Sequence, residues 1–118
     1  FLGVENEEEE LRKVLENQWK ILADRYFDNQ GVNLFCGHFF FVKEGDEKFE
    51  EPEDEKPILH IGGAQAIFSK NIPRQVQYAA LGHLHRRQTV SEEPCPILYS
   101  GSPISYSFSE AGQKNTLK

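Results

Sequence analysis

The chain has 118 residues, enough for one domain with a modest core, and its composition of 38% hydrophobic and 27% charged residues is typical of a globular protein. Its formal net charge of −6 excludes a surface that is basic throughout, and no apolar run approaches the length that spans a bilayer. Residues 1–56 hold 16 acidic and 7 basic side chains, whereas residues 57–118 hold 3 acidic and 6 basic ones. The second half is therefore compatible with a phosphate-bearing partner.

The first residues, "FLGVENEEEE", lack the basic and apolar stretches of a signal peptide. The chain does not begin with Met and contains none, so we expect a fragment of a longer polypeptide. Cys36 and Cys95 form no disulfide framework and no CxxC motif, which favours a reducing, cytoplasmic location. Cys36 lies in an apolar run and is predicted to be a small buried hydrophobe.

The first predicted element is an amphipathic helix over residues 6–28. Asn6 and Glu9 resemble a capping box at its start, and Gly31 is a candidate C-terminal cap. The apolar side chains recur every three or four residues and predict one buried face, formed by Leu11, Leu15, Trp19, Leu22 and Tyr26.

About five short strands follow, which makes the fold class α/β, with α+β as the alternative. The strand over 32–37 is predicted to be buried on both faces, because its apolar residues barely alternate. Residues 44–56 hold 8 carboxylates in 13 residues and predict a solvated, mobile acidic loop. A connector with one helical turn is expected between the strands, which span residues 32–37, 58–63, 75–82, 96–103 and 104–110.

Histidines stand at the ends of two predicted strands. His83 and His85 follow the strand over 75–82, and in an extended segment residues two apart share a face, so both imidazoles could enter one pocket. His38 follows the strand over 32–37 in the same order of apolar strand, glycine and histidine. If these strands are parallel neighbours, the three histidines meet at one sheet edge.

Each histidine also has a structural interpretation. His83 and His85 could be ordinary loop residues, and His38 could pack among aromatic side chains. His60 lies in the middle of the predicted strand 58–63 and is interpreted as structural or solvent-facing. Three histidines can form a mononuclear site, but a two-metal site also needs a bridging carboxylate, and no aspartate adjoins these histidines.

Four segments in order, "NLFCGH", "ILHIGGAQAI", "QYAALGHLHRRQ" and "ILYSGSPISYSFSE", resemble the later part of the calcineurin-like metallophosphoesterase domain. Within that superfamily they are most similar to the bacterial SbcD-type nuclease subunits. The resemblance covers roughly residues 8–115 and departs most in the acidic loop. It implies that residues 1–118 form the second half of a catalytic domain, as a partial metallophosphoesterase sandwich of one long helix and about five short strands.

The resemblance also implies a site with two divalent ions, most simply Mn²⁺, in the complete protein. His38 and His83 match the motifs that bind the same ion, and His85 matches the residue that reaches toward the other. The bridging carboxylate and the general-acid histidine belong to the earlier half of the domain, so no catalytic residue is expected in this chain.

The nucleic-acid contacts are predicted from the residues beside these histidines. Arg86 and Arg87 are candidates for contact with a phosphate backbone, and the alternative is that they are solvated charges. Ser102, with Ser100, lies in the Gly-Ser-Pro turn and could approach DNA, and a simple turn role is the alternative.

The predicted parent is therefore a Mn²⁺-dependent DNA exonuclease and endonuclease for double-strand end processing and repair, working with an SbcC-type ATPase. The fragment itself should be inactive and should self-associate, since a divided sheet exposes an edge and an apolar face. Two alternatives stay open: another metallophosphoesterase acting on nucleotides or phosphoproteins, and a metal-free protein-binding scaffold of the same fold.

Overall fold

The computed structural model describes residues 4–45 and 66–104, with side chains described from residue 7 onward. The predicted strand 58–63 with His60, the acidic segment beyond Gly45 and the predicted strand beyond Ile104 lie outside these residues. The described elements confirm the α/β class, and they are α1 (Val4–Tyr26), β1 (Leu34–His38), β2 (Phe41–Val42), β3 (Ile67–Phe68), a 3-10 helix (Ser69–Asn71), β4 (Tyr78–Gly82), β5 (Gln88–Ser91) and β6 (Ile97–Tyr99).

The strands form a four-stranded sheet in the order β1-β4-β6-β5 and a separate pair of β2 with β3. β1, β4 and β6 run parallel, whereas β5 is antiparallel to β6. The parallel order brings the carboxyl ends of β1 and β4 to the same edge of the sheet. β2, β3 and β5, of two to four residues each, were not predicted from the sequence, whereas β6, with three residues, lies within the predicted strand 96–103.

The buried face of α1 agrees with the prediction in its first half and departs from it in its second half. Trp19 is half-buried and packs edge-on against Phe35 of β1, with ring centroids 4.9 Å apart. Leu22 and Tyr26 are 51% and 67% exposed, whereas Ala23 is buried. A strict four-residue step therefore continues the buried face from Trp19 through Ala23.

Both predicted helix caps are wrong. α1 begins at Val4, so Asn6 lies inside its first turn rather than before it. The helix ends at Tyr26, well before Gly31. The backbone N–H of Gly31 instead donates to the Asp28 carboxylate, over 3.2 Å, in a turn that the side chain of Asp28 organises.

Polar contacts fix α1 against the segment that leads into β4. Arg12 of α1 makes a cation–π contact with Phe68, since its guanidinium lies 4.5 Å from the centre of the Phe68 ring. The hydrogen bonds are donated by Arg12 to the Ala66 carbonyl oxygen (3.1 Å), by Asn71 to Glu16 (3.2 Å) and by Gln75 to Asp24 (2.7 Å).

The prediction that the first strand is buried on both faces is wrong, and so is the prediction that Cys36 is buried. Along β1, Phe35 is half-buried toward the core, while Leu34 is 55% exposed and Cys36 is exposed. β4 repeats this pattern, with Ala79 buried and Tyr78 41% exposed. The reason is that the described residues cover only one face of these strands: Trp19 of α1 packs on Phe35, whereas Leu34 and Cys36 on the opposite face remain exposed.

Candidate metal centre

His38 and His83 are brought together by the pairing of β1 with β4. The two strands are parallel, and His38, the last residue of β1, pairs with Gly82, the last residue of β4. The imidazole of His83 follows directly, and the ring centroids of His38 and His83 lie 5.2 Å apart with an interplanar angle of 70°. The two strands are thus parallel neighbours, which was the condition for their histidines to meet, and this pairing brings His38 and His83 together at one edge of the sheet.

Gly82 makes room for this pair. A Cβ built on Gly82 would lie 3.1 Å from Nδ1 of His38, which is tighter than nine in ten real Cβ contacts. The imidazole of His38 therefore occupies the space that a side chain at position 82 would need. A side chain at position 82 would therefore require the imidazole of His38 to shift by a few tenths of an ångström.

The backbone of His83 is strained. Its φ of 105° lies in a region that residues with a Cβ rarely adopt. Such conformations cluster at functional sites, where the surrounding structure holds them in place. Because the extended backbone ends at Gly82, the alternation argument that placed His83 and His85 on one face does not apply.

Leu84 separates His83 from His85 and anchors the loop that carries them. Its side chain is 3% exposed and belongs to the hydrophobic core, whereas both histidines are half-buried. The buried Leu84 side chain thus fixes the loop to the core, while the imidazoles on either side of it remain partly exposed to solvent.

The donor set fits part of a metal site. Neutral imidazole nitrogens are suitable ligands for Zn²⁺, Mn²⁺ and Fe²⁺. Within residues 4–45 and 66–104, no three His, Cys, Asp or Glu side chains are grouped closely enough to hold an ion. His38 and His83 form a pair, and His85 is not grouped with them. Metal binding by these three residues, and the role of each, stay predictions.

Arg86 and Arg87 extend the same edge of the sheet with positive charge. Both side chains are exposed, and neither guanidinium forms an ion pair with any residue in the described part of the chain. Both are therefore accessible to an external anion, and their contact with nucleic acid stays a prediction.

Ser102 is buried rather than presented at the surface, with 5% of its area exposed. Its backbone N–H donates to the carbonyl oxygen of His85 over 2.8 Å, and its hydroxyl lies 3.3 Å from the same oxygen. Ser100 beside it is exposed. The geometry gives Ser102 a role inside the turn, and its predicted contact with nucleic acid is not tested by this arrangement.

The sequence interpretation missed Tyr99 and Gly101, which contact the backbone of the histidine loops. Tyr99 is fully buried, and its hydroxyl bonds to the chain just after His38. A buried tyrosine needs a partner for its hydroxyl, so a tyrosine ending an apolar strand was the available signal.

Among residues 4–45 and 66–104, no helix combines the length and the apolar character needed to cross a membrane. No protein-family model matches the chain. Individual proteins do match the chain, and two of these matches cover 73% and 98% of its length.

The chain is 40% identical over 86 residues to the SbcD component of the nuclease SbcCD from Bacillus subtilis, a match that covers 73% of this chain and 20% of that protein. It is 33% identical over 116 residues to the SbcD component of the same nuclease from Staphylococcus saprophyticus, covering 98% of this chain and 27% of that protein. The chain thus spans between a fifth and just over a quarter of the length of these relatives. The resemblance inferred from the motifs is confirmed: residues 1–118 are similar over most of their length to one part of the SbcD-type nuclease subunits.

Proposed function

We propose that residues 1–118 form the second half of the catalytic domain of an SbcD-like, metal-dependent DNA nuclease. In this proposal His38, His83 and His85 are metal ligands, and Arg86 and Arg87 contact the DNA backbone. The parent acts as an exonuclease and endonuclease on DNA ends, in the cytoplasm, with an SbcC-type ATPase as its partner. The 118-residue chain alone is inactive.

The observation that carries the proposal is the pairing of His38 with His83 at the carboxyl ends of neighbouring parallel strands. Their ring centroids are 5.2 Å apart, and the second of the two has a strained backbone. A pair of imidazoles held this closely, in a chain similar to nuclease subunits, supports metal binding at this edge.

In this proposal the described residues supply the imidazole nitrogen ligands, and the earlier half of the domain supplies the carboxylate that bridges the two metal ions. Two divalent ions, when bound, supply charge neutralisation at the phosphate and activation of the attacking water. His38 and His83 would hold one of these ions, and His85 would bind the other. The exposed guanidinium groups of Arg86 and Arg87 bind phosphate oxygens and align the DNA strand along the site.

The metal-site test compares histidine variants of the full-length protein that contains this chain. We expect His38→Ala, His83→Ala and His85→Ala each to lower Mn²⁺ content and to reduce cleavage of linear duplex DNA by about 100-fold or more. The control is His60→Ala, because His60 is the remaining histidine of the chain and has no predicted ligand role. Unchanged cleavage in the first three variants, or an equal loss in the control, contradicts the proposal.

The DNA-contact test uses Arg86→Ala and Arg87→Ala. Each should raise KM for DNA more than it lowers kcat. Each should also reduce the magnitude of the slope of log affinity against log salt concentration by about one. Arg74→Ala is the matched control, since Arg74 is exposed and precedes β4, at the opposite end of the parallel strands from His83. Equal slopes in all three variants rule out a phosphate contact by Arg86 and Arg87.

The same preparations discriminate the two alternatives. Full-length protein that binds Mn²⁺ but cleaves nucleotides or phosphopeptides in preference to DNA is a different metallophosphoesterase. Full-length protein that neither binds Mn²⁺ nor cleaves any phosphoester is a protein-binding scaffold.

A further inference from the structure

The end of β6 and the turn after it contact both of the loops that carry the histidines. We name this segment, Tyr99 to Ser102, the β6 bracket. Tyr99 pairs with Leu81 of β4 on one side and with Gln88 of β5 on the other. The bracket is therefore adjacent both to the strand that leads into His83 and to the strand that follows Arg87.

The first arm of the bracket is the hydroxyl of Tyr99. This side chain is fully buried, and its O–H donates to the carbonyl oxygen of Phe39 over 2.6 Å. The same hydroxyl oxygen accepts the backbone N–H of Phe41 over 2.7 Å. One hydroxyl thus satisfies a donor and an acceptor in the residues that follow His38, which fixes the direction in which the chain leaves β1.

The second arm is the turn at Gly101 and Ser102. Gly101 has a φ of 79°, and a Cβ there would lie 2.7 Å from the backbone nitrogen of Arg87 and 3.0 Å from the carbonyl oxygen of His85. The backbone N–H of Ser102 donates to that same carbonyl oxygen over 2.8 Å. The turn is therefore seated directly on the backbone of the His85 loop, with no space for a side chain at position 101.

We propose that the β6 bracket positions the metal ligands, Tyr99 acting through His38 and the turn acting through His85. This inference rests on the proposed metal site. The bracket contacts neither metal nor DNA in this scheme. It fixes the positions of the His38 and His85 imidazoles, so that these side chains need little rearrangement when an ion binds. Ser102 then contributes to the nuclease by holding His85.

Tyr99→Phe is the sharpest variant, because it keeps the aromatic ring in the core and removes only the hydroxyl. In the full-length protein loaded with Co²⁺, we expect about tenfold weaker metal binding, a changed visible absorption spectrum and a lower kcat with little change in KM. Tyr78→Phe is the matched control, since Tyr78 lies on the neighbouring strand and is 41% exposed. A spectrum and an affinity equal to those of the control overturn the inference.

A second measurement does not depend on metal. In metal-free full-length protein with ¹³C-labelled histidine rings, Tyr99→Phe should shift or broaden the His38 signal and leave that of His60 unchanged. Gly101→Ala should do the same to His85, because its Cβ would lie 3.0 Å from the His85 carbonyl oxygen. Gly31→Ala is its control, since nothing lies within 4 Å of a Cβ at that position, and this pair of variants serves if Tyr99→Phe does not fold. Unmoved His38 and His85 signals refute the positioning role. Absence of Co²⁺ binding in the parent protein refutes the proposed function instead, and the ring signals then still decide the role of the bracket.

Discussion

His38 and Gly82 lie opposite each other in the pairing of β1 with β4, and the Nδ1 atom of His38 fills the space beside the glycine. A side chain at position 82 would have to displace the imidazole by a few tenths of an ångström. That displacement is small for the fold, but it would be large for His38 in its proposed role as a metal ligand, because coordination distances tolerate changes of about 0.2 Å.

Gly82→Ala should therefore separate stability from metal binding. We expect the melting temperature of the full-length protein to stay level or rise slightly, since alanine is favoured over glycine in a strand by about 0.5–1 kcal/mol. We expect the affinity for Mn²⁺ to fall by about tenfold. Gly31→Ala is the control, because nothing lies within 4 Å of a Cβ at that position. Equal metal affinity in the two variants contradicts the close fit at Gly82.

The strained backbone at His83 predicts that the glycine variant is more stable than the alanine variant at His83, and that this order is reversed at His38. At His83, with a φ of 105°, glycine should give a more stable protein than alanine by about 1 kcal/mol. At His38, inside β1, alanine should be the more stable by about 0.5–1 kcal/mol. Urea unfolding of the four variants measures both differences, and the same sign at both positions contradicts a strained His83.

The sequence was sufficient to predict the helix, the two histidine-bearing strands and the end of the sheet at which their histidines meet. These features depend on local patterns, namely apolar periodicity and a glycine directly before His38 and before His83. The exposure of Cys36 could not be predicted, because an apolar run records that a strand is hydrophobic and not how many of its faces are covered. The contacts of Tyr99 and Gly101 depend on the register of β6 with β4, which no local pattern specifies.

The two cysteines should differ sharply in reactivity. Cys36 is exposed on β1, whereas Cys95 is 5% exposed. In the folded 118-residue chain we expect Cys36 to react with a thiol reagent within minutes and Cys95 to react only as fast as the chain unfolds. Mass spectrometry of the modified peptides measures both rates. Equal rates without denaturant would mean that the region around Cys95 is not folded as described.

The Cys95 thiol also predicts a pH dependence of stability. Burial raises the pKa of Cys95, the negative charge of Glu93 raises it further, and a hydrogen bond with the backbone of Ala79 opposes the shift. The folded state therefore holds the thiol proton more tightly than the unfolded state. This contribution is complete below the ordinary thiol pKa of about 8.5 and is lost as the pH rises through the higher folded value.

The free energy of unfolding should accordingly fall above pH ~8.5, and it should fall less steeply in Cys95→Ala. Cys36→Ala is the matched control and should follow the parent protein. Denaturant unfolding between pH ~7 and pH ~10 measures the three slopes. A slope in Cys95→Ala as steep as in the parent contradicts this assignment.

The exposed face of the sheet predicts self-association of the 118-residue chain on its own. Leu34 on β1 and Tyr78 on β4 are 55% and 41% exposed on paired positions of neighbouring strands. Light scattering should show a mass that rises with concentration, and Leu34→Lys should reduce that rise. Val14→Lys is the matched control, because Val14 on α1 is also 55% exposed. A monomer at all concentrations is the contrary result.

The place of β6 in the sheet has a consequence for the order in which the protein is made. All three candidate histidines leave the ribosome before β6, yet β6 contacts the backbone of both histidine loops and lies between β4 and β5. A nascent chain ending before Tyr99 carries the three histidines without the strand that contacts their loops. Domains generally fold as units during synthesis, so the described sheet is complete only once β6 has been synthesised.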